Sequence, residues 1–128
     1  MANYLLDTTA LVDFLRGRQG ILEMFNALSV QGNRLGACCV SIAELYAGVS
    51  QERRTAADRL TGVLDYYDVS PEAAKEAGRY RFEFARRGIA LSTADTLIAA
   101  TAIDQGAILV TGNTKDFPME EIQLLEHP

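Results

Sequence analysis

Four acidic residues stand where carboxylates can do chemistry: Asp7, Glu44, Asp95 and Asp116. Asp7 ends the apolar run Tyr4 to Leu6, and Asp116 lies in TGNTKDF, residues 111 to 117, directly after the apolar run Ile108 to Val110. Glu44 and Asp95 each follow a serine by three positions, in Ser41-Ile-Ala-Glu44 and Ser92-Thr-Ala-Asp95. Crowded carboxylates repel and raise one another's pKa unless a cation neutralises them. Hard oxygen ligands at such density suit Mg²⁺ or Mn²⁺, and a site of that kind commonly acts on phosphate. Thr8, Thr9, Ser92, Thr111 and Asn113 add neutral oxygens and donors beside these acids.

Each acid also has a purely structural reading. Both Ser-x-x-acid motifs match the capping box, in which a serine caps a helix and the acid bonds back to it. Asp7 reads as a helix N-cap and Asp116 as a turn residue before Phe117 and Pro118. What sets the four apart from ordinary caps is their joint placement, just after strand ends or at helix starts, on what should be one edge of a sheet.

The elements that must position them follow from hydrophobic spacing. Tyr4 to Leu6 predicts a strand, and Leu11, Val12, Phe14 and Leu15 a helix closed by Gly17. Ile21, Leu22, Phe25 and Leu28 predict a second helix; Leu35 to Val40 a buried strand; Ile42, Leu45, Tyr46 and Val49 a helix that Glu44 opens. Residues 52 to 64 are amphipathic, Tyr66 to Val69 is a short strand, and Pro71 opens a long helix through Arg87 that Gly88 closes. Ser92 begins a helix to about Gln105 whose inward face runs from Asp95 through Ile98, Ala99 and Ala102; Ile108 to Val110 is a buried strand and Ile122 to Leu125 an edge strand. Strands alternating with helices imply a parallel sheet covered on both faces, with functional groups beyond the carboxyl ends of the strands where their order reverses.

At 128 residues the chain reads as one domain, 1 to 128, with 48% hydrophobic and 23% charged residues, which excludes disorder and fibrous repeats. No apolar stretch approaches the roughly 18 residues of a membrane span, and the start MANYLLDTTA lacks the features of a secretion signal, so the cytoplasm is the expected location. Cys38 and Cys39 are adjacent and read as small core residues without a mutual disulfide. With His127 as the one histidine, soft ligands are too few for a structural zinc, so a metal must be held by oxygen. The net charge of −5 argues against broad, sequence-independent nucleic-acid binding, although ten of the twelve basic residues are arginines, beside Lys75 and Lys115.

LLDTTALVDFLRG at 5 to 17, SIAELYAG at 41 to 48 and STADTLIAATAIDQGAILVTGNTKDF at 92 to 117, in this order and spacing, resemble the PIN-domain ribonucleases, specifically the VapC-type toxins of bacterial and archaeal toxin-antitoxin pairs. The resemblance spans nearly the whole chain. It implies a three-layer α/β/α fold around a central parallel sheet and an endoribonuclease using Mg²⁺ or Mn²⁺. Asp7, Glu44 and Asp95 match the family's three core acids, Asp116 the fourth, and Thr9 and Asn113 assisting polar positions. All four acids are thereby catalytic and metal-ligand candidates. Gly112 stands where the family often has arginine. The implied partners are an RNA substrate, a cognate antitoxin and a second copy in a homodimer or larger assembly. RNA contacts are sought among Arg16, Arg18, Arg53, Arg54, Arg79, Arg86 and Arg87, with Lys75, Arg79, Phe82 and Arg86 on one side of the long helix. The apolar faces near residues 11 to 28 and 42 to 49 read equally as interfaces or as core.

Two other readings compete. A different metal-dependent phosphoryl-transfer hydrolase would carry a second aspartate two residues after the first, where this chain has Thr9. A non-catalytic acidic-pocket module resembling a response-regulator receiver would need a phosphoacceptor and a lysine, for which Asp68 and Lys115 are poor matches.

Overall fold

The computed structural model describes residues 1 to 128. Five strands, β1 (Asn3–Leu6), β2 (Arg34–Cys38), β3 (Asp65–Tyr67), β4 (Ile108–Thr111) and β5 (Gln123–Glu126), alternate with six helices, α1 (Thr8–Leu15), α2 (Gln19–Val30), α3 (Cys39–Ala47), α4 (Arg54–Gly62), α5 (Pro71–Arg86) and α6 (Thr93–Asp104). The sheet order is β3-β2-β1-β4-β5 and every pairing is parallel. The chain therefore walks outward from β1 to β3, then returns to the other side of β1 with β4. The seam between β1 and β4 is the switch point that the alternation predicts.

Strand periodicity sorts side chains onto two cores. Leu5, Cys38 and Leu109 face α5 and α6, packing with Ala77, Tyr80, Phe84, Ile98 and Ala102. Their strand neighbours Leu6, Ala37 and Val110 face the other way, against Leu11 of α1, Ile21 of α2, Leu45 of α3 and Leu60 of α4. This is the expected α/β/α arrangement, and the sheet's buried residues are apolar on both faces because both are covered.

The strand boundaries differ from the sequence reading at β2. The predicted strand through Val40 stops at Cys38, and α3 begins at Cys39 with Cys38 as its N-cap and no capping side-chain bond. Ser41 is thus not a cap: it lies inside the helix, fully buried, with its hydroxyl lacking a hydrogen-bond partner. Glu44 does not open the helix but sits in its second turn. Both cysteines are free, Cys38 buried and Cys39 half-buried. Apolar residues of α1 and α2 assigned equally to interface or core (Val12, Phe14, Met24, Phe25, Leu28) are partly buried against the second core.

Gly36 shows how tightly the sheet edge is built. A Cβ there would stand 2.5 Å from Tyr67 Cε2 and 2.8 Å from the Asp65 carbonyl oxygen, and a strand backbone cannot retreat as a side chain can. Gly36→Ala is expected to destabilise the protein by about 1 to 3 kcal/mol, the usual cost of overpacking, read as a lower urea midpoint with an unchanged slope.

Candidate active site

Asp7 lies at the seam. Its amide donates to the Val110 carbonyl at 3.0 Å, extending the β1–β4 ladder by one step. Its side chain then turns to cap α1, Oδ1 accepting from the Ala10 amide at 2.9 Å and from Thr9 Oγ1 at 2.7 Å. Oδ2 accepts from Thr111 Oγ1 at 2.5 Å across the seam. The N-cap reading of Asp7 is therefore correct. The residue is only 3% exposed, and burial pushes its pKa up; the bonds from Thr111, Ala10 and Thr9 pull it back, as does the nearby His127, but burial prevails.

Asp95 approaches from α6. Ser92 caps that helix, its Oγ accepting from the Asp95 amide at 3.0 Å, so this half of the capping box is realised. The inward stripe below it is as expected, with Ile98, Ala99 and Ala102 buried. The Asp95 pKa is raised first by burial; the Ser92 hydroxyl opposes this, and the charges of Asp116, Glu44 and Asp7 push it further up. Asp116, Glu44 and Asp7 thus stand close enough for their charges to act on Asp95.

Glu44 is exposed on α3, its Oε1 accepting from Thr8 Oγ1 at 2.6 Å. Asp116 ends a 3-10 turn, Thr114–Asp116, with Oδ2 accepting from Asn113 Nδ2 at 2.6 Å. Thr9, Thr111, Thr8 and Asn113 thus each hold one carboxylate, and Thr9 does more: its Oγ1 also accepts from the Gly112 amide at 3.1 Å, linking α1 to the loop after β4.

No lysine or arginine nitrogen lies within 4.0 Å of any of the four carboxylates, although salt bridges occur elsewhere. Uncompensated charge at partly buried positions is costly, and an all-oxygen donor set of this kind suits a hard divalent cation. The carboxylates do not form a closed ligand set as they stand. Asp7, held by three donors, is the fixed member; exposed Glu44, held by one hydroxyl, is adjustable.

Beside Glu44 a groove of about 330 Å³ runs between α1 and α3, lined by Val12, Leu15, Leu45 and Val49 with Arg16 and Arg53 at its rim. These two arginines are the basic candidates nearest the acids. Arg79 is instead paired with Glu76 and Glu83, and Phe82 is exposed under Arg86 rather than packed in the core. Two residues escaped the sequence reading: Ser41, whose burial a mistaken capping role concealed, and His127, buried beside the site.

Residues 4–119 match the family model described as PIN domain. Ribonuclease VapC19 of Mycobacterium tuberculosis is 35% identical over 117 residues, covering 90% of this chain and 92% of that protein. The tRNA(fMet)-specific endonuclease VapC of Shigella flexneri is 28% identical over 123 residues, covering 91% of each. Among solved structures, VapBC2 from Rickettsia felis bound to a DNA fragment from their promoter superposes with a TM-score of 0.88 at 26% identity, over 97% of this chain and 98% of that one.

The raised pKa of Asp95 has a sign that can be checked. A carboxyl that binds its proton more tightly when folded lowers stability as pH rises from its unfolded pKa, about 3.9, through its raised folded pKa. Asp95→Asn removes that loss. The expected outcome is a melting temperature above wild type at pH 7, with the difference closing as the pH falls towards 4.

Proposed function

The chain belongs to the PIN-domain family, among its VapC-type ribonucleases, and from that premise we propose that the acidic locus at the β1–β4 seam is where it hydrolyses RNA phosphodiester bonds. The observation that carries the assignment is the placement of Asp7, buried at the end of β1 with both carboxylate oxygens held by hydroxyl and amide donors, beside three further acids whose charges act on one another and with no lysine or arginine in ion-pair reach. Membership sets aside the readings as another class of phosphoryl-transfer hydrolase or as a non-catalytic acidic module.

Asp7 and Asp95 would be the primary ligands of Mg²⁺ or Mn²⁺, Glu44 a further ligand or the group that orients the attacking water, and Asp116 an outer or second-ion ligand. A divalent cation so held supplies water activation at neutral pH and neutralisation of charge at the scissile phosphate. The rest is done by the chain. Thr9, Thr111 and the Ala10 amide hold both Asp7 oxygens in a fixed direction, so little reorganisation accompanies the reaction. Asn113 holds Asp116 and Thr8 holds Glu44, each through one hydrogen bond that leaves the other carboxylate oxygen to bind an ion or orient a water. Arg16 and Arg53 on the groove rim provide positive charge for the RNA backbone on a protein of net charge −5.

The protein acts as the toxin of a toxin-antitoxin pair, and the VapBC complexes among its structural relatives support a cognate antitoxin as partner. The apolar floor and basic rim of the α1–α3 groove suit a bound segment with apolar anchors. We assign a homodimer as its assembly and the cytoplasm as its place of action; no helix is long and apolar enough to cross a membrane.

Asp7→Asn keeps a residue that caps helices as well as aspartate does, so the fold is retained. Cleavage of total tRNA with Mg²⁺ or Mn²⁺ is expected to fall by about 10³-fold, on the scale of one charge-stabilising group, with an unchanged circular dichroism spectrum. Undiminished metal-dependent cleavage by this variant would sink the assignment.

A further inference from the structure

His127 follows β5 and is buried, its side chain 1% exposed. Its amide donates to the Thr111 carbonyl at 3.1 Å, which carries the β4–β5 pairing one residue past the strand. The ring reaches beneath the loop after β4: Nδ1 lies 3.1 Å from the Pro128 carbonyl, while Nε2 has no hydrogen-bond partner and stands 3.8 Å from Asp13 Oδ2. A buried ring nitrogen without a partner is costly and persists only where the surroundings dictate its place.

Those surroundings are Gly112. A Cβ built on Gly112 would lie 3.0 Å from His127 Nε2, 3.1 Å from Cε1 and 3.6 Å from Thr9 Oγ1. Gly112 is not among the glycines with positive φ, so its backbone conformation does not require glycine. Space constrains it: a side chain at 112 would meet the imidazole tip at 3.0 Å, so the ring would have to give by a few tenths of an ångström. Gly112 in turn donates its amide to Thr9 Oγ1, and Thr9 donates to Asp7 Oδ1. From ring to carboxylate the path is one packed contact and two hydrogen bonds.

We propose that His127 is a positioning residue for the Asp7 centre, its imidazole packing in the place of a side chain at 112 and holding the Gly112 amide on Thr9. The role rests on the assignment of Asp7 above and deepens it. It also accounts for the pairing of a glycine at 112 with a histidine fifteen residues later, since either residue alone would leave a hole or a clash.

The test is a two-residue cycle in the full chain, read in three ways: Mn²⁺ affinity by calorimetry without RNA, kcat and KM for cleavage of total tRNA, and melting temperature. His127→Ala is expected to weaken Mn²⁺ binding about tenfold and to lower kcat roughly 10- to 100-fold, the scale of outer-shell groups, with KM within about twofold of wild type. Gly112→Ala should shift both in the same direction by a smaller factor, because its methyl presses the ring aside by a few tenths of an ångström. In the His127→Ala background Gly112→Ala should have no further effect, and His127→Gln, whose amide reaches the position of Nε2, should restore most of the loss. Wild-type affinity and kcat in His127→Ala, or losses that multiply in the double variant, would overturn the proposal. Should His127→Ala fail to fold, the comparison of His127→Gln with Gly112→Ala decides in its place: Gln near wild type with a defective Gly112→Ala supports the role, and any other pattern overturns it. A wild-type protein that binds Mn²⁺ but cuts no RNA would sink the ribonuclease reading while the calorimetry still decides this one; a wild type that binds no Mn²⁺ overturns both.

Discussion

The site depends on keeping the Asp7 carboxylate inside the protein. Burial raises the free energy of its charged form, and three donors from two places offset part of that cost: the Thr9 hydroxyl and the neighbouring Ala10 amide in the first turn of α1, and the Thr111 hydroxyl from the end of β4. The offset is incomplete, since the pKa remains raised. A carboxylate so held is pre-aimed and under-neutralised, which is the condition in which it gains most from a cation. The same residue caps α1 with its side chain and extends the β1–β4 ladder with its amide, so the fold itself fixes where the carboxylate stands.

The topology makes this arrangement possible. With order β3-β2-β1-β4-β5, the chain leaves β1 through α1 towards β2 and leaves β4 through the 3-10 turn Thr114–Asp116 towards β5, so the connections part at the seam and open a crevice at the carboxyl ends of the strands. Asp7 and Asp116 enter it from the two seam strands, Glu44 from α3 and Asp95 from α6. Two apolar cores, one on each face of the sheet, hold these elements rigidly enough for four like charges to be tolerated at the rim. The repulsion at Asp95 is therefore a cost carried by the rest of the packing, as is common where activity needs a destabilised site.

Most of the architecture was legible in the sequence because short apolar runs bounded by Asp7 or a glycine and amphipathic helices of ordinary length are local signals. The positions of Asp7, Asp95 and Asp116 were legible for the same reason, since each follows a strand end or a helix start. Where reading failed, the cause was a rule applied to a segment that obeys another. Ser41-Ile-Ala-Glu44 has the capping-box pattern, but the chain passes from β2 into α3 at Cys38 and Cys39 with no side-chain cap, which moves Ser41 into the core and Glu44 into the second turn. His127 was invisible for a different reason. Its neighbours Gly112 and Asp13 come from other elements, brought together only by the β4–β5 and β1–β4 pairings, and no local pattern announces such a contact.

The central claim, that these four carboxylates surround one cation-binding centre, is tested most directly by anomalous diffraction from crystals of the wild-type protein soaked in Mn²⁺. The account predicts an anomalous peak at the β1–β4 seam in direct coordination of Asp7 and Asp95, with Glu44 or Asp116 turned towards it from its threonine or asparagine partner. Well-ordered density for all four side chains without a peak between them, or a peak held by other residues, would contradict it.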